Sequence, residues 1–234
     1  TLLSSSLKSA IRTVYTLLGS GILHGTTFQK KLVVGALICC LTTHVDAGVV
    51  LLYHHVDEAT PAITSIAPDQ FNRHLDIIEA EGFTVLPLDE LVKRSMDASS
   101  GPEKGDEKIV AITFDDAYRS IYTTAFPNLQ ARGWPFTIFV ATRLIEEKNP
   151  HYLTWAQLAE MSTHGATIAN HTDSHTHMIR RLDAEMADHW KGRMRGELMT
   201  AKGLLAKHGL DSNLFAYPYG EYDEEILNLV GDLG

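Results

Sequence analysis

Thiols are nearly absent from this chain. Its only two cysteines, Cys39 and Cys40, are adjacent and sit in an apolar stretch near the N-terminus. That excludes a disulfide framework and a thiolate metal site from the main body, so any metal there must be held by histidines and carboxylates. Positive charge is also scarce: 20 Lys and Arg against 29 Asp and Glu give a net charge of −9, too acidic to present a basic field to a phosphate backbone, and nucleic acid is excluded as a first-choice partner. Internal repeats and low-complexity tracts are missing as well. The one strongly apolar run, Leu32 to Leu41, is too short to span a bilayer comfortably. What remains is ordinary: 234 residues, 44% hydrophobic and 21% charged, enough for one domain with a real core.

Lys30-Lys31, the apolar run and the small and polar residues up to Ala47 follow the order of a secretory signal, so an exported protein is expected, periplasmic, envelope-associated or secreted. Residues 1–47 are read as a leader and 48–234 as the functional domain. The first 29 residues carry no readable signal, and the Cys pair is a poor match to a lipoprotein box. A start at Thr1 and an end directly after a helical segment predict a piece of a longer protein.

From Gly48 onward, apolar runs alternate with segments of helical period, the pattern of parallel strands joined by crossover helices. Strands are predicted at Val49 to Tyr53, Phe83 to Leu86, Ile109 to Phe114, Phe136 to Ala141, Ala166 to Ala169 and Leu214 to Tyr217. Helices are predicted at Pro68 to Glu81, Leu88 to Met96, Tyr118 to Arg132, Thr154 to Thr163, Leu182 to His208 and Asp223 to Val230. The fold class is α/β, and six βα units in one run favour a barrel modestly over an open sheet. Asp97 to Lys108, rich in Ser, Gly, Pro and charge, reads as a surface loop.

Polar residues arrive where the strand runs stop, which is where barrel and open α/β enzymes keep their sites. Asp115 and Asp116 follow Ile109-Val110-Ala111-Ile112-Thr113-Phe114. Adjacent carboxylates there repel unless a cation binds one while the other accepts protons, although an Asp-Asp helix cap explains them equally well. His171 and His175, in Asn170-His171-Thr172-Asp173-Ser174-His175-Thr176-His177, are spaced to face one divalent ion from a helical turn. Thr172 stands where a zincin helix needs Glu, so a protease of that type is disfavoured. His177 reads as a bystander. Ala216-Tyr217-Pro218-Tyr219-Gly220 predicts a sharp turn with exposed amides that could serve an oxyanion, and Tyr53-His54-His55-Val56 ends the first strand run.

Together and in this order, Thr113-Phe114-Asp115-Asp116, His171-Thr172-Asp173-Ser174-His175 and Tyr217-Pro218-Tyr219-Gly220 resemble the successive motifs of the polysaccharide deacetylase (NodB-like) family. The resemblance covers roughly Gly48 to Gly234. Leu51-Leu52-Tyr53-His54-His55-Val56 is similar to the circularly permuted subgroup that includes biofilm poly-N-acetylglucosamine deacetylases. It implies a distorted (β/α)7 barrel, C-terminally incomplete here. Asp116, His171 and His175 are implied as ligands of a divalent metal, zinc first, with cobalt, nickel or manganese as alternatives. Asp115 is implied as general base, His54 as general acid and the Tyr219 amide as oxyanion donor. The chain departs from the family in having Ala216-Tyr217 where many members carry an Arg, and Ala117 where Gly is common.

The expected activity is metal-dependent hydrolysis of N-acetyl groups on an amino-sugar polymer, with an N-acetylated polysaccharide or oligosaccharide as partner. A carbohydrate-binding module without catalysis, and a small-molecule amidase on the same site, are the competing readings. Trp134, Trp155 and Tyr219 could stack on sugars, though Trp155 reads as a helix-start packing residue.

Overall fold

The computed structural model describes residues 48–97, 108–210 and 212–233. The signal-like segment, Cys39 and Cys40 and most of the predicted surface loop lie outside them. Five parallel strands form the main sheet: β1 (Val49–Tyr53), β4 (Thr84–Val85), β5 (Ile109–Phe114), β6 (Phe136–Val140) and β7 (Ala166–Asn170). Their order is β1-β5-β6-β7, and β4 pairs with the first two residues of β5. All six residues of β5 and all five of β6 are buried, which is why these runs read as continuously apolar rather than alternating. A two-residue parallel pair, β2 (His55–Val56) with β3 (Ser65–Ile66), was not legible in the sequence because so short a run has no period.

The helices are α1 (Pro68–Ala80), α2 (Leu88–Asp97), α3 (Phe126–Arg132), α4 (Thr142–Glu146), α5 (Trp155–Ser162), α6 (Ala187–Lys207) and α7 (Glu224–Leu233). Five of the six predicted helices are found within a few residues of their expected bounds. The predicted helix Tyr118 to Arg132 is instead interrupted by a π-helical turn, Ile121–Ala125, and resumes as α-helix just before Pro127. Proline has no N–H to close a regular i to i−4 bond, which loosens the preceding turn. α5 is started by a capping box, Thr154 and Gln157 bonding each other's backbone amides. Trp155 packs at that helix start, as expected, against the main core.

That core fills the space between the sheet and α1, α3, α5 and the end of α6, with Phe71, Leu75, Phe114, Ile121, Leu129 and Leu158 fully enclosed. A smaller cluster, built on Met178, Trp190, Met194, Leu198, Ile226 and Leu229, joins α6 to α7. The buried positions Trp190, Met194, Leu198, Ala201 and Leu205 repeat at three and four residues and mark the inward face of α6.

Closure into a barrel is not seen: among the described residues the sheet is open. The predicted strand Leu214 to Tyr217 makes only an isolated bridge, Phe215 with Asn170. Leu214 and Ala216 do exchange backbone bonds with Asn170, so the segment lies alongside β7, but Pro218 and a 3-10 turn at Pro218–Gly220 stop it before a ladder forms.

Candidate metal centre

Three strand ends and one turn converge. β5 delivers Asp115 and Asp116, and the chain then turns sharply: Asp116 (φ 67°) and Ala117 (φ 63°) are both left-handed. A left-handed backbone favours Gly, so Ala117 holds this turn at a steric cost. Asp115 is anchored through its amide, which donates to the Tyr53 carbonyl at the end of β1. β7 delivers Asn170 and the loop carrying His171 and His175.

One donor atom each from Asp116, His171 and His175 lies within 4.8 Å of the others. Nε2 of His175 is 3.1 Å and Nε2 of His171 3.5 Å from Asp116 Oδ1. Donors held about 2.1 Å from a tetrahedral ion are separated by roughly 3.4 Å, so the spacing fits a divalent cation. His171, 1% exposed, donates from Nδ1 to the Ala216 carbonyl at 2.9 Å. This fixes the tautomer that leaves its Nε2 lone pair facing Asp116. Asp116 Oδ1 is buried without a hydrogen-bond partner, as is Asp115 Oδ1. A buried carboxylate oxygen facing two imidazole nitrogens, with no hydrogen-bond partner, is a donor set that a divalent cation would satisfy.

The two aspartates are electrically distinct. Burial raises the Asp115 carboxyl above the usual range, against opposing pulls from His171 and His54. Burial would raise Asp116 too, but His171 and His175 together outweigh it and hold its carboxyl below the usual range. Burial likewise lowers His175, whereas in His171 the lowering effect of burial is overcome by Asp116 and Asp115. Asp115 Oδ2 reaches to 4.0 Å of His171 Nε2 and stands outside the three-donor group.

His54 sits between β1 and β2, close enough for its charge to favour the ionised forms of both aspartates. Its neighbour His55 is buried and stacks on Tyr118 with ring centroids 3.5 Å apart; Tyr118 in turn stacks on Tyr152. Tyr219 adopts φ 59° in the turn after Pro218 and is 57% exposed. Its ring meets the edge of His175 at 4.6 Å and lies flat on His177 at 3.8 Å. His177 stands outside the three-donor group, as expected, while its Nδ1 bonds Glu221 at 2.8 Å and ties the His171–His175 loop to the segment after the Tyr219 turn.

Other supporting residues carried no sequence signal. Asp173, buried inside the second motif, accepts from Thr142 Oγ1 at 2.8 Å and from Nε and Nη2 of Arg143 at 3.0 and 2.6 Å. Thr172 Oγ1 accepts the His175 amide at 3.0 Å. Nothing in the spacing of Thr142 and Arg143, some thirty residues upstream, connects them to this loop; only the β6–β7 pairing does.

Residues 103–234 match the family profile described as polysaccharide deacetylase. Among curated relatives, a Bacillus subtilis protein named as a polysaccharide deacetylase, YxkH, is 28% identical over 79% of this chain and 61% of its own length. The poly-beta-1,6-N-acetyl-D-glucosamine N-deacetylase of Escherichia coli K12 is 22% identical over 80% of the chain and 32% of its own length. The chain thus spans about three-fifths of the first and one-third of the second. Among solved structures, the Streptococcus pyogenes deacetylase PplD in complex with acetate aligns with a TM-score of 0.68 at 26% identity, covering 80% of each chain. IcaB from Ammonifex degensii aligns at 0.67 and 26%, covering 81% of each. With the profile matched over more than half its length, and its Asp-His-His group at the strand ends, the chain belongs to the polysaccharide deacetylase family.

Proposed function

We propose that this protein is a metal-dependent hydrolase that removes N-acetyl groups from an amino-sugar polymer, and that the described sheet is part of a distorted (β/α)7 barrel. The observation that carries the reading is the partnerless buried Oδ1 of Asp116 between two imidazole nitrogens, one of them fixed as an acceptor by Ala216. Relatives named for poly-beta-1,6-N-acetyl-D-glucosamine support the polymer class.

Asp116, His171 and His175 would hold the ion; zinc suits this donor set best, with cobalt, nickel or manganese also accepted. A divalent cation there lowers the pKa of water and polarises the acetamide carbonyl. Asp115, outside the donor group and beside it, takes the proton as the water oxygen bonds to the acyl carbon. The Tyr219 amide stabilises the developing oxyanion, a contribution typically worth roughly 3 kcal/mol. When the C–N bond breaks, His54 gives its proton to the departing amine. Acetate and a free amine result. We further propose that the protein acts outside the cytoplasm, as the signal-like segment at 30–47 suggests, on polymer of the cell envelope.

The test is acetate release from N-acetylglucosamine oligomers by purified protein, after chelation and after zinc or cobalt is restored. Metal-restored acetate is expected. Binding of oligomer with no acetate at any metal loading would favour a binding module instead.

A further inference from the structure

Each metal-facing histidine is directly preceded by a residue tied to one turn of α6. Before His171, Asn170 donates from Nδ2 to the Leu198 carbonyl at 3.1 Å, and its Oδ1 accepts the Thr172 amide at 2.8 Å. Before His175, Ser174 gives both its donors to Glu197: the amide to Oε2 at 2.7 Å and the hydroxyl to Oε1 at 2.8 Å. The Glu197 side chain is only 12% exposed, and its nearest countercharge, Arg143 Nη2, is 4.0 Å away and already paired with Asp173 at 2.6 Å. A carboxylate enclosed in the middle of a helix is costly unless its oxygens are bonded, and here Ser174 bonds both.

The loop needs such support. Thr172 (φ 67°) and His175 (φ 55°) are left-handed, a region that side-chain-bearing residues hold only where surrounding contacts over-determine it. The tethers at Asn170 and Ser174 flank Thr172, and the second directly precedes His175.

We infer that Glu197 is a positioning residue for the metal centre: by accepting both donors of Ser174 it holds His175 left-handed and so sets Nε2 against Asp116. This rests on the metal-site reading above. A helix-to-loop contact that merely stabilises the fold would use the same hydrogen bonds, so the test must separate metal affinity from stability. Zinc affinity is measured by competition with a chromophoric chelator, alongside the visible spectrum of the cobalt-loaded protein and thermal unfolding with chelator present. The proteins are wild type, Glu197→Ala, Glu197→Gln, Ser174→Ala and, as a stability-matched control, Leu205→Ala in the core. Removal of outer ligand support typically weakens metal binding about 10- to 100-fold. That loss is expected for Glu197→Ala, with an altered cobalt spectrum. Glu197→Gln, which keeps one acceptor, should recover part of the affinity, and Leu205→Ala should keep wild-type affinity at a comparable loss of thermal stability. Should Glu197→Ala fail to fold, Glu197→Gln and Ser174→Ala carry the comparison. Zinc affinities within twofold of wild type in the Glu197 and Ser174 variants, or equal weakening in Leu205→Ala, would overturn the inference while leaving the metal site intact. A wild-type protein that binds no zinc would overturn both.

Discussion

The two strand ends that meet at the site are built differently. At the end of β5, an entirely buried apolar strand runs straight into two carboxylates, and the Oδ1 atoms of both aspartates are buried without partners. At the end of β7, nearly every polar atom is tied down: His171 to Ala216, Thr172 to Asn170 and His175, Asp173 to Thr142 and Arg143, Ser174 to Glu197. The β5 end stores unmet electrostatic demand, and the β7 end supplies rigidity. In the proposed function, a cation between them would satisfy the first and use the second.

Breaking the β7 side should have the largest effect. His171→Ala removes one of three donors, and loss of bound zinc together with activity is expected, read by metal analysis of the purified protein. On the β5 side, Asp115→Asn should keep the metal and lose turnover by roughly 10²- to 10⁴-fold, the usual range for a general base, in an acetate-release assay. The same variant sharpens the contrast in stability. Because burial raises the Asp115 pKa above its ordinary 3.8, the folded state disfavours the charge. That penalty is full above the raised value and vanishes below the unfolded one. Metal-free Asp115→Asn should therefore melt higher than wild type at pH 7, by about 2–4 °C for each kcal/mol relieved, and the gain should shrink by pH 4. Chelator-treated samples scanned at the two pH values check this; a lower melting temperature at pH 7 would mean that the β5 end is not strained by its charge.

The smallest effect lies outside both ends. Arg193 pins the Glu185 carboxyl, holding it down to about 2 from 4.5, on the segment leading into α6. Its contribution to stability is full above pH 4.5 and lost as pH falls toward 2. Glu185→Gln should flatten that part of the acid-unfolding curve without altering zinc affinity, separating the helix that carries Glu197 from the clamp itself.

Much of this arrangement could be read from residue order, and the reasons are local. β5 and β6 are apolar runs buried on both faces, β1 is an apolar run buried only at its Tyr53 end, and the aspartates and histidines stand where those runs and β7 stop. The open sheet was less legible: Leu214 to Tyr217 has a strand's composition, but Pro218 and the left-handed Tyr219 end it after one bridge. Glu197, Arg143 and Thr142 were invisible because their partners are reached through sheet pairing and helix packing. The His177 contact is illegible for the same reason, its partner Glu221 being forty-four residues away. Motifs record the groups that do chemistry; the groups that hold them leave no periodic trace.

The division of labour between the two adjacent aspartates is tested most directly by titrating zinc into metal-free wild type, Asp115→Asn and Asp116→Asn. One zinc per chain is predicted for wild type and Asp115→Asn, with binding lost or weakened by orders of magnitude in Asp116→Asn. Equal loss in both variants would contradict the account, since it would make Asp115 a ligand rather than the base.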